Sequence, residues 1–134
     1  MYDIHVVPTD KVGIVWPVVK EFVQKSITES NGLFDIDTVL SLLLNDSWKL
    51  LIVIDGNNVV HGVLTIQIIN EVALVTNIAG KGIGNKPMFE KLKNVLKNMG
   101  VKEIQGSVRP SIERLWKRLG FTDKYKVVGV NIWA

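Results

Sequence analysis

With 134 residues, 47% of them hydrophobic and only four prolines, the chain is long enough for one core and too apolar for a disordered protein. The absence of cysteine excludes disulfides, thiolate nucleophiles and cysteine-bound zinc, and His5 and His61 alone cannot build a histidine-rich metal centre, so a single metal-free domain over residues 1–134 is expected. Residues 1–80 hold four lysines against nine carboxylates and residues 81–134 twelve Lys and Arg against four, nets of −5 and +8, a split suited to an anionic ligand such as nucleic acid or a phosphorylated cofactor.

Residues 3–7 read as a first strand, closed by a turn at Pro8 and Thr9. Over residues 11–26, Val12, Val15, Val19, Phe22 and Val23 recur at helical spacing with Trp16 alongside, and Pro17 is easiest to place in that helix's first turn. Asp35 or Asp37 caps a second helix with Val39, Leu40, Leu43 and Leu44 on its apolar face. Residues 50–54 and 59–69 flank Asp55-Gly56-Asn57-Asn58, which predicts an antiparallel hairpin, and residues 71–76 form a third strand after a turn at Asn70.

Phe89, Leu92, Val95, Leu96 and Met99 share one helical face, with Lys91, Lys93 and Lys97 mostly on the other, so an amphipathic helix should end before Gly100. Residues 101–108 are a strand candidate. Ile112, Leu115, Trp116 and Leu119 define a further helix ended by Gly120, and residues 125–133 read as a final strand. This order predicts an α/β (α+β) domain, a mixed twisted sheet flanked by helices. No apolar run reaches the roughly 20 residues of a membrane span, and residues 1–11 lack the pattern of a secretory signal. A soluble, cytoplasmic protein with no membrane partner is expected.

Gly80-Lys81-Gly82-Ile83-Gly84 is the sharpest chemical feature. It stands between a strand and a helix, where glycines expose backbone N–H groups and the helix supplies free donors for a phosphate. Asn85 follows Gly84 in place of the Gly-Lys-Ser/Thr ending of a P-loop, which disfavours ATP or GTP hydrolysis. The loop also comes after three antiparallel-looking strands and not after an early strand of a βαβ unit, which disfavours a Rossmann fold. Pro87 fits the first turn of a helix starting at Gly84 or Asn85, and Lys81 and Lys86 are candidate outer phosphate contacts.

In element order the chain resembles the GCN5-related N-acetyltransferase (GNAT) superfamily. Ala79-Gly80-Lys81-Gly82-Ile83-Gly84 is similar to that family's Arg/Gln-x-x-Gly-x-Gly/Ala loop at both glycine positions. Residues 109–121, from Arg109 through Leu115-Trp116 to Gly120-Phe121, are similar to its Asn-x-x-Ala-x-x-Leu-Tyr-x-x-x-Gly-Phe segment. The resemblance implies acetyl-CoA or CoA as cosubstrate, without a metal. Its pantetheine arm would lie along the strand of Leu74, Val75 and Thr76. Its pyrophosphate would sit on Ala79, Gly80, Lys81, Gly82, Ile83, Gly84 and Asn85, with Arg109 and Trp116 nearby. The departures that matter are Ala79 for Arg or Gln, Arg109 for Asn, and Trp116 for the tyrosine that protonates the departing thiolate. Tryptophan has only an indole N–H donor and is no ordinary general acid.

Direct transfer to a primary amine would then need other groups, and Glu71 as base and Tyr125 as acid are the candidates. Ser107, Arg109 and Asn77 are further hydrogen-bond donors near the open end of the sheet, and His61 is a candidate proton relay. No Ser-His-acid set accompanies them, which disfavours a covalent acyl-enzyme. The alternative is a noncatalytic relative of the kind the family contains among phage structural and protein-interaction proteins, placed in the host cytoplasm or the virion. Nucleic-acid binding ranks third, because Phe89, Leu92, Leu96 and Leu115 are spaced as core and no nucleic-acid-binding signature is present. An edge strand covered by a homodimer or a protein partner is compatible with either.

Overall fold

Five strands form one sheet in chain order: β1 (Asp3–Val7), β2 (Lys49–Ile54), β3 (Val60–Ile69), β4 (Val72–Gly80) and β5 (Glu103–Gly106). A 3-10 turn (Thr9–Lys11) leads into α1 (Val12–Glu29) and then α2 (Ile36–Leu44); α3 (Lys86–Lys97) and α4 (Pro110–Arg118) flank β5 in sequence. The structure, a computed structural model, describes residues 2–29, 34–82, 84–107, 110–126 and 128–133, the side chains of 110–112 excepted. Strands β1 to β4 are antiparallel neighbours. Helix α3 carries the chain back before β5, so β5 joins β4 in parallel, the geometry that needs a crossover.

Both faces of the sheet are covered, which explains why the strands read as continuous apolar runs. Leu50 and Val63 point to one side, against Val19 and Val23 of α1 and Val39 and Leu43 of α2. Leu51, Val53, Leu64 and Ile66 point to the other, against Phe89, Leu92 and Leu96 of α3. Local chemistry fixes the connections. Asp35 caps α2, its side chain accepting from Thr38 N at 2.7 Å. In the β2–β3 hairpin, Asp55 Oδ1 accepts from the amides of Asn57 and Val59 at 2.8 and 3.1 Å while Asn58 takes φ +60°.

Four expectations change. Residues 125–133 form no strand among those described: the segment is irregular, and Tyr125, Val128, Val130, Ile132 and Trp133 are all exposed. Pro17 lies in the interior of α1, not in its first turn, and so forgoes the i to i−4 bond to the Gly13 carbonyl. Strand β4 runs to Gly80, which pairs with Gly62, so the loop is shorter than the glycine pattern implies. Finally, Glu71 is not on the strand. It sits in the two-residue β3–β4 turn, where Asn70 and Glu71 both take positive φ, 47° and 67°, as a tight hairpin requires.

Candidate ligand cleft between β4 and α4

Strand β4 keeps β5 as a neighbour only from Val72 to Val75, opposite Glu103 to Gly106. At that point β4 carries a bulge: Thr65 of β3 faces Asn77 and Ile66 faces Val75, which leaves Thr76 with no opposite residue. The extra residue places Thr76 and Asn77 on the same face, and both reach Thr65 Oγ1, at 2.6 and 2.9 Å. A bulge bends its strand and increases the twist, so β4 leaves β5 and continues to Gly80 with its β5 side open. The two strands make a fork.

Buried polar groups hold this bend. Ser26 of α1 donates to Asn77 Oδ1 at 3.1 Å and accepts from the Ile78 amide at 3.2 Å, while Thr76 Oγ1 also donates to the Thr65 carbonyl at 3.0 Å. Ser26, Thr65 and Asn77 are all buried, so these bonds replace water that cannot reach them.

Beyond the fork opens a cleft of about 510 Å³, lined by Ile78 to Gly82 of the strand end and loop, Gly84 and Asn85, Lys25 and Glu29 of α1, and Leu115 and Trp116 of α4. Its size is that of a small-molecule site. Lys25, Glu29 and Leu115 escaped sequence reasoning. Helical periodicity marks Leu115 only as core, and the sequence does not say that the last turn of α1 faces the strand end.

The glycine loop is built differently from a simple cradle. Lys81 donates its amide to the His61 carbonyl at 2.7 Å, so that N–H is already used. Asn85 is the N-cap of α3, its Oδ1 accepting from Met88 N at 2.9 Å, and Phe89 N bonds the Asn85 carbonyl. Pro87 has no N–H. Lys86, the first residue of α3, has an amide with no acceptor within the helix. The glycines also have separate reasons. Gly80 (φ +91°) is pressed on the His61 carbonyl and, at 2.7 Å for an added Cβ, on Gly62 Cα. Gly82 (φ +103°) would direct a Cβ at Val53 and Tyr2, into the protein and away from a ligand. Gly84 would meet only Leu115, at 3.6 Å.

A polar pair supports the loop from below. His61 Nε2 lies 2.8 Å from Asp55 Oδ2, and its ring packs on Tyr2 with centroids 4.6 Å apart. The hydrogen bond from His61, helped by the Val59 and Asn57 amides, lowers the Asp55 carboxyl to about 2. His61 is therefore a support of the glycine loop through its own carbonyl and ring.

Of the residues expected from sequence, Ala79, Gly80, Lys81, Gly82, Gly84, Asn85 and Trp116 line the cleft together. Leu74 and Val75 lie in the paired part of β4, and Thr76 is the bulge itself. Ile83 and Arg109 lie outside the described residues. Glu71 and Tyr125 are not brought to the cleft. Glu71 sits at the far end of β4 with its carboxylate 3.2 Å from Lys102 Nζ, and Tyr125 lines a second groove beside β5 that shares Trp116 with the cleft. Among the described residues no three or more His, Asp or Glu are grouped to hold a metal ion, and no helix is long and apolar enough to cross a membrane.

No protein-family model and no curated protein matches the sequence. Solved structures do match the fold. A predicted acetyltransferase of Clostridium acetobutylicum, solved with acetyl-CoA, is 18% identical and superposes with a TM-score of 0.64 over 99% of this chain and 97% of its own. An aminoglycoside acetyltransferase from an uncultured soil metagenomic sample, in complex with sisomicin, is 11% identical with a TM-score of 0.66 over 97% and 94%. A Trypanosoma brucei acetyltransferase is 10% identical with a TM-score of 0.62 over 98% and 100%. With the forked sheet, the bulged β4 and the glycine loop at its end, the chain has the fold of the GCN5-related N-acetyltransferases.

Proposed function

We propose that the protein is an N-acetyltransferase that binds acetyl-CoA in the cleft between β4 and α4 and transfers the acetyl group directly to a primary amine. The fork carries this reading. Five residues of β4, Thr76 to Gly80, present an open strand side, which suits an extended arm with two amide groups in the way an edge strand takes up a peptide. The first turn of α3 and the ammonium groups of Lys25 and Lys81 in the cleft lining supply the loop end with positive charge for a pyrophosphate. The structures solved with acetyl-CoA and with an aminoglycoside share this fold and support the same assignment.

Acetyl-CoA supplies an activated thioester; the chain has to align it with the amine and take up a proton. Glu29 is placed for the second task. Phe22 lies against Gly80 and Ser26 against Asn77 and Ile78, so α1 runs back along β4, and Glu29, roughly 4.5 Å further along the helix, comes level with the bulge. It is the carboxylate in the cleft lining, and we assign it to hold the ammonium form of the acceptor and receive its proton, directly or through water.

Isothermal titration of the protein with acetyl-CoA and CoA tests the ligand. Mass spectrometry of a panel of aminoglycosides, polyamines and lysine peptides incubated with acetyl-CoA, against a no-protein control, tests the transfer. Binding with no acetylated product from any amine would leave a CoA-binding protein and remove the enzyme.

A further inference from the structure

The four most exposed large apolar side chains among the described residues fall within six positions: Val128, Val130, Ile132 and Trp133 are 83%, 87%, 83% and 93% exposed. Apolar residues scattered singly over a surface need no explanation, but a run of them does. Val128, Val130 and Ile132 recur at the two-residue period of a strand, and β-branched residues favour that conformation. The segment is suited to strand pairing, yet it pairs with no strand among the described residues of its own chain.

An uncovered strand edge lies nearby. Strand β5 ends the sheet, with β4 on one side and, among the described residues, no strand on the other. Beside it runs the groove that holds Tyr125, about 1430 Å³, lined by the half-buried Leu74, Ile104, Leu119 and Phe121 and by the exposed Lys97 and Lys117. The edge is too short to cover the segment within one molecule. Lys124 Nζ lies 3.6 Å from Glu103 Oε1, so the chain passes beside the first residue of β5 there, and β5 has only three residues more. Pairing along that edge would take up the chain to residue 127 and leave Val128, Val130, Ile132 and Trp133 in water. One chain thus carries a strand segment without an edge and an edge without a strand, and a two-fold pair of copies satisfies both at once, because each copy supplies what the other needs. Residues 128–133 carry no charge, so the lysines of the groove do not repel them. We infer that residues 128–133 of one copy add as a strand to the β5 edge of a second copy, and reciprocally, to form a symmetric dimer. The inference is independent of the ligand assignment above.

Sedimentation of the full chain over a concentration series should give twice the monomer mass. Val130→Lys combined with Ile132→Lys should raise the dimer dissociation constant about 100-fold or more, since two aliphatic side chains lose their burial and two ammonium groups meet the groove lysines. Both positions are exposed in the single chain, so the variant keeps its core. Because the chain has no cysteine, cross-linking locates the contact. Gln105→Cys mixed with Ile132→Cys should form a disulfide-linked dimer on oxidation, and neither variant alone should. A wild type that stays monomeric up to about 1 mM, the weak end of specific association, overturns the inference. So does a dimer that survives the double lysine variant or yields no linked pair in the mixture. A disulfide formed within one chain when both cysteines are placed in the same molecule, with no link in the mixture, would put the segment on its own β5 and overturn it as well.

Discussion

Replacing Ser26 by alanine removes a single oxygen from the junction of α1 and β4, and that oxygen serves two partners. It donates to Asn77 Oδ1 at 3.1 Å and accepts from the Ile78 amide at 3.2 Å. The variant leaves both without it, and each unpaired buried group costs about 1–3 kcal/mol. Both bonds are on the long side and Ile78 is only partly buried, so the low end of that range applies, about 1–1.5 kcal/mol each, and the sum is about 2–3 kcal/mol. For a domain of this size about 4 °C of melting temperature accompanies each kcal/mol, which gives a fall of about 8–12 °C. Thr28→Ala is the matched control, because Thr28 Oγ1 bonds only the Gln24 carbonyl on the exposed side of the same helix, and its change should stay within about 0.5 kcal/mol. Urea unfolding by circular dichroism, with an unchanged m-value, measures both. A Ser26→Ala loss below about 1 kcal/mol, no larger than the control, would refute the idea that a buried hydrogen-bond network fixes the bulge.

Gly80→Ala should destabilise the fold by at least about 3 kcal/mol, from the left-handed backbone plus the clash with His61 O and Gly62 Cα, whereas Gly84→Ala should change stability by less than about 1 kcal/mol; equal melting temperatures would contradict the packing at Gly80. Asp55 has a folded pKa of about 2 against an ordinary 3.8, so its support is complete above roughly pH 4 and is lost as the pH falls through 3.8 toward 2. Asp55→Asn should flatten the melting-temperature profile in that window, and an unchanged slope would show that the pair with His61 does not form. Glu29→Gln should lower the acetyl-transfer rate about 100-fold or more with acetyl-CoA affinity unchanged, while Glu71→Gln leaves both within about twofold; the reverse pattern would return the base to the β3–β4 turn.

The scaffold could be read from the chain because local chemistry and burial agree there. Asp35 caps, Asp55 turns, and Phe89, Leu92 and Leu96 face inward, each at the position its residue type predicts. The bulge could not be read. Thr76 and Asn77 look like two ordinary strand residues, and only the pairing with β3 shows that both share a face. The glycine pattern located the cleft but misled about its own purpose: Gly80 and Gly82 are small because protein packs against them, and only Gly84 faces α4 in open contact. Glu71 was misplaced by a single residue of register, since a two-residue hairpin needs positive φ at both positions and so takes it out of the strand. Residues 125–133 have the composition of a strand, but composition does not provide a neighbour to pair with.

The strand order of the sheet, identical to the order along the chain, has a consequence for how the molecule breathes. Strands β1 to β4 contact one another through hairpins and α1–α2, whereas β5 joins the sheet by only four residue pairs with β4, and the segment through α4 is otherwise held by Ile104, Leu119 and Phe121 packing on the α3 side of the core. Partial opening should therefore begin at β5 and α4, and amide exchange in these two elements should be the fastest of the sheet-bearing part, with β2 to β4 the slowest. Since Trp116 and Leu115 belong to the segment that opens first, anything bound against β4 and α4 together would act as a strut between a stable and a labile unit, and slowed exchange in α4 would report its arrival before any chemistry begins.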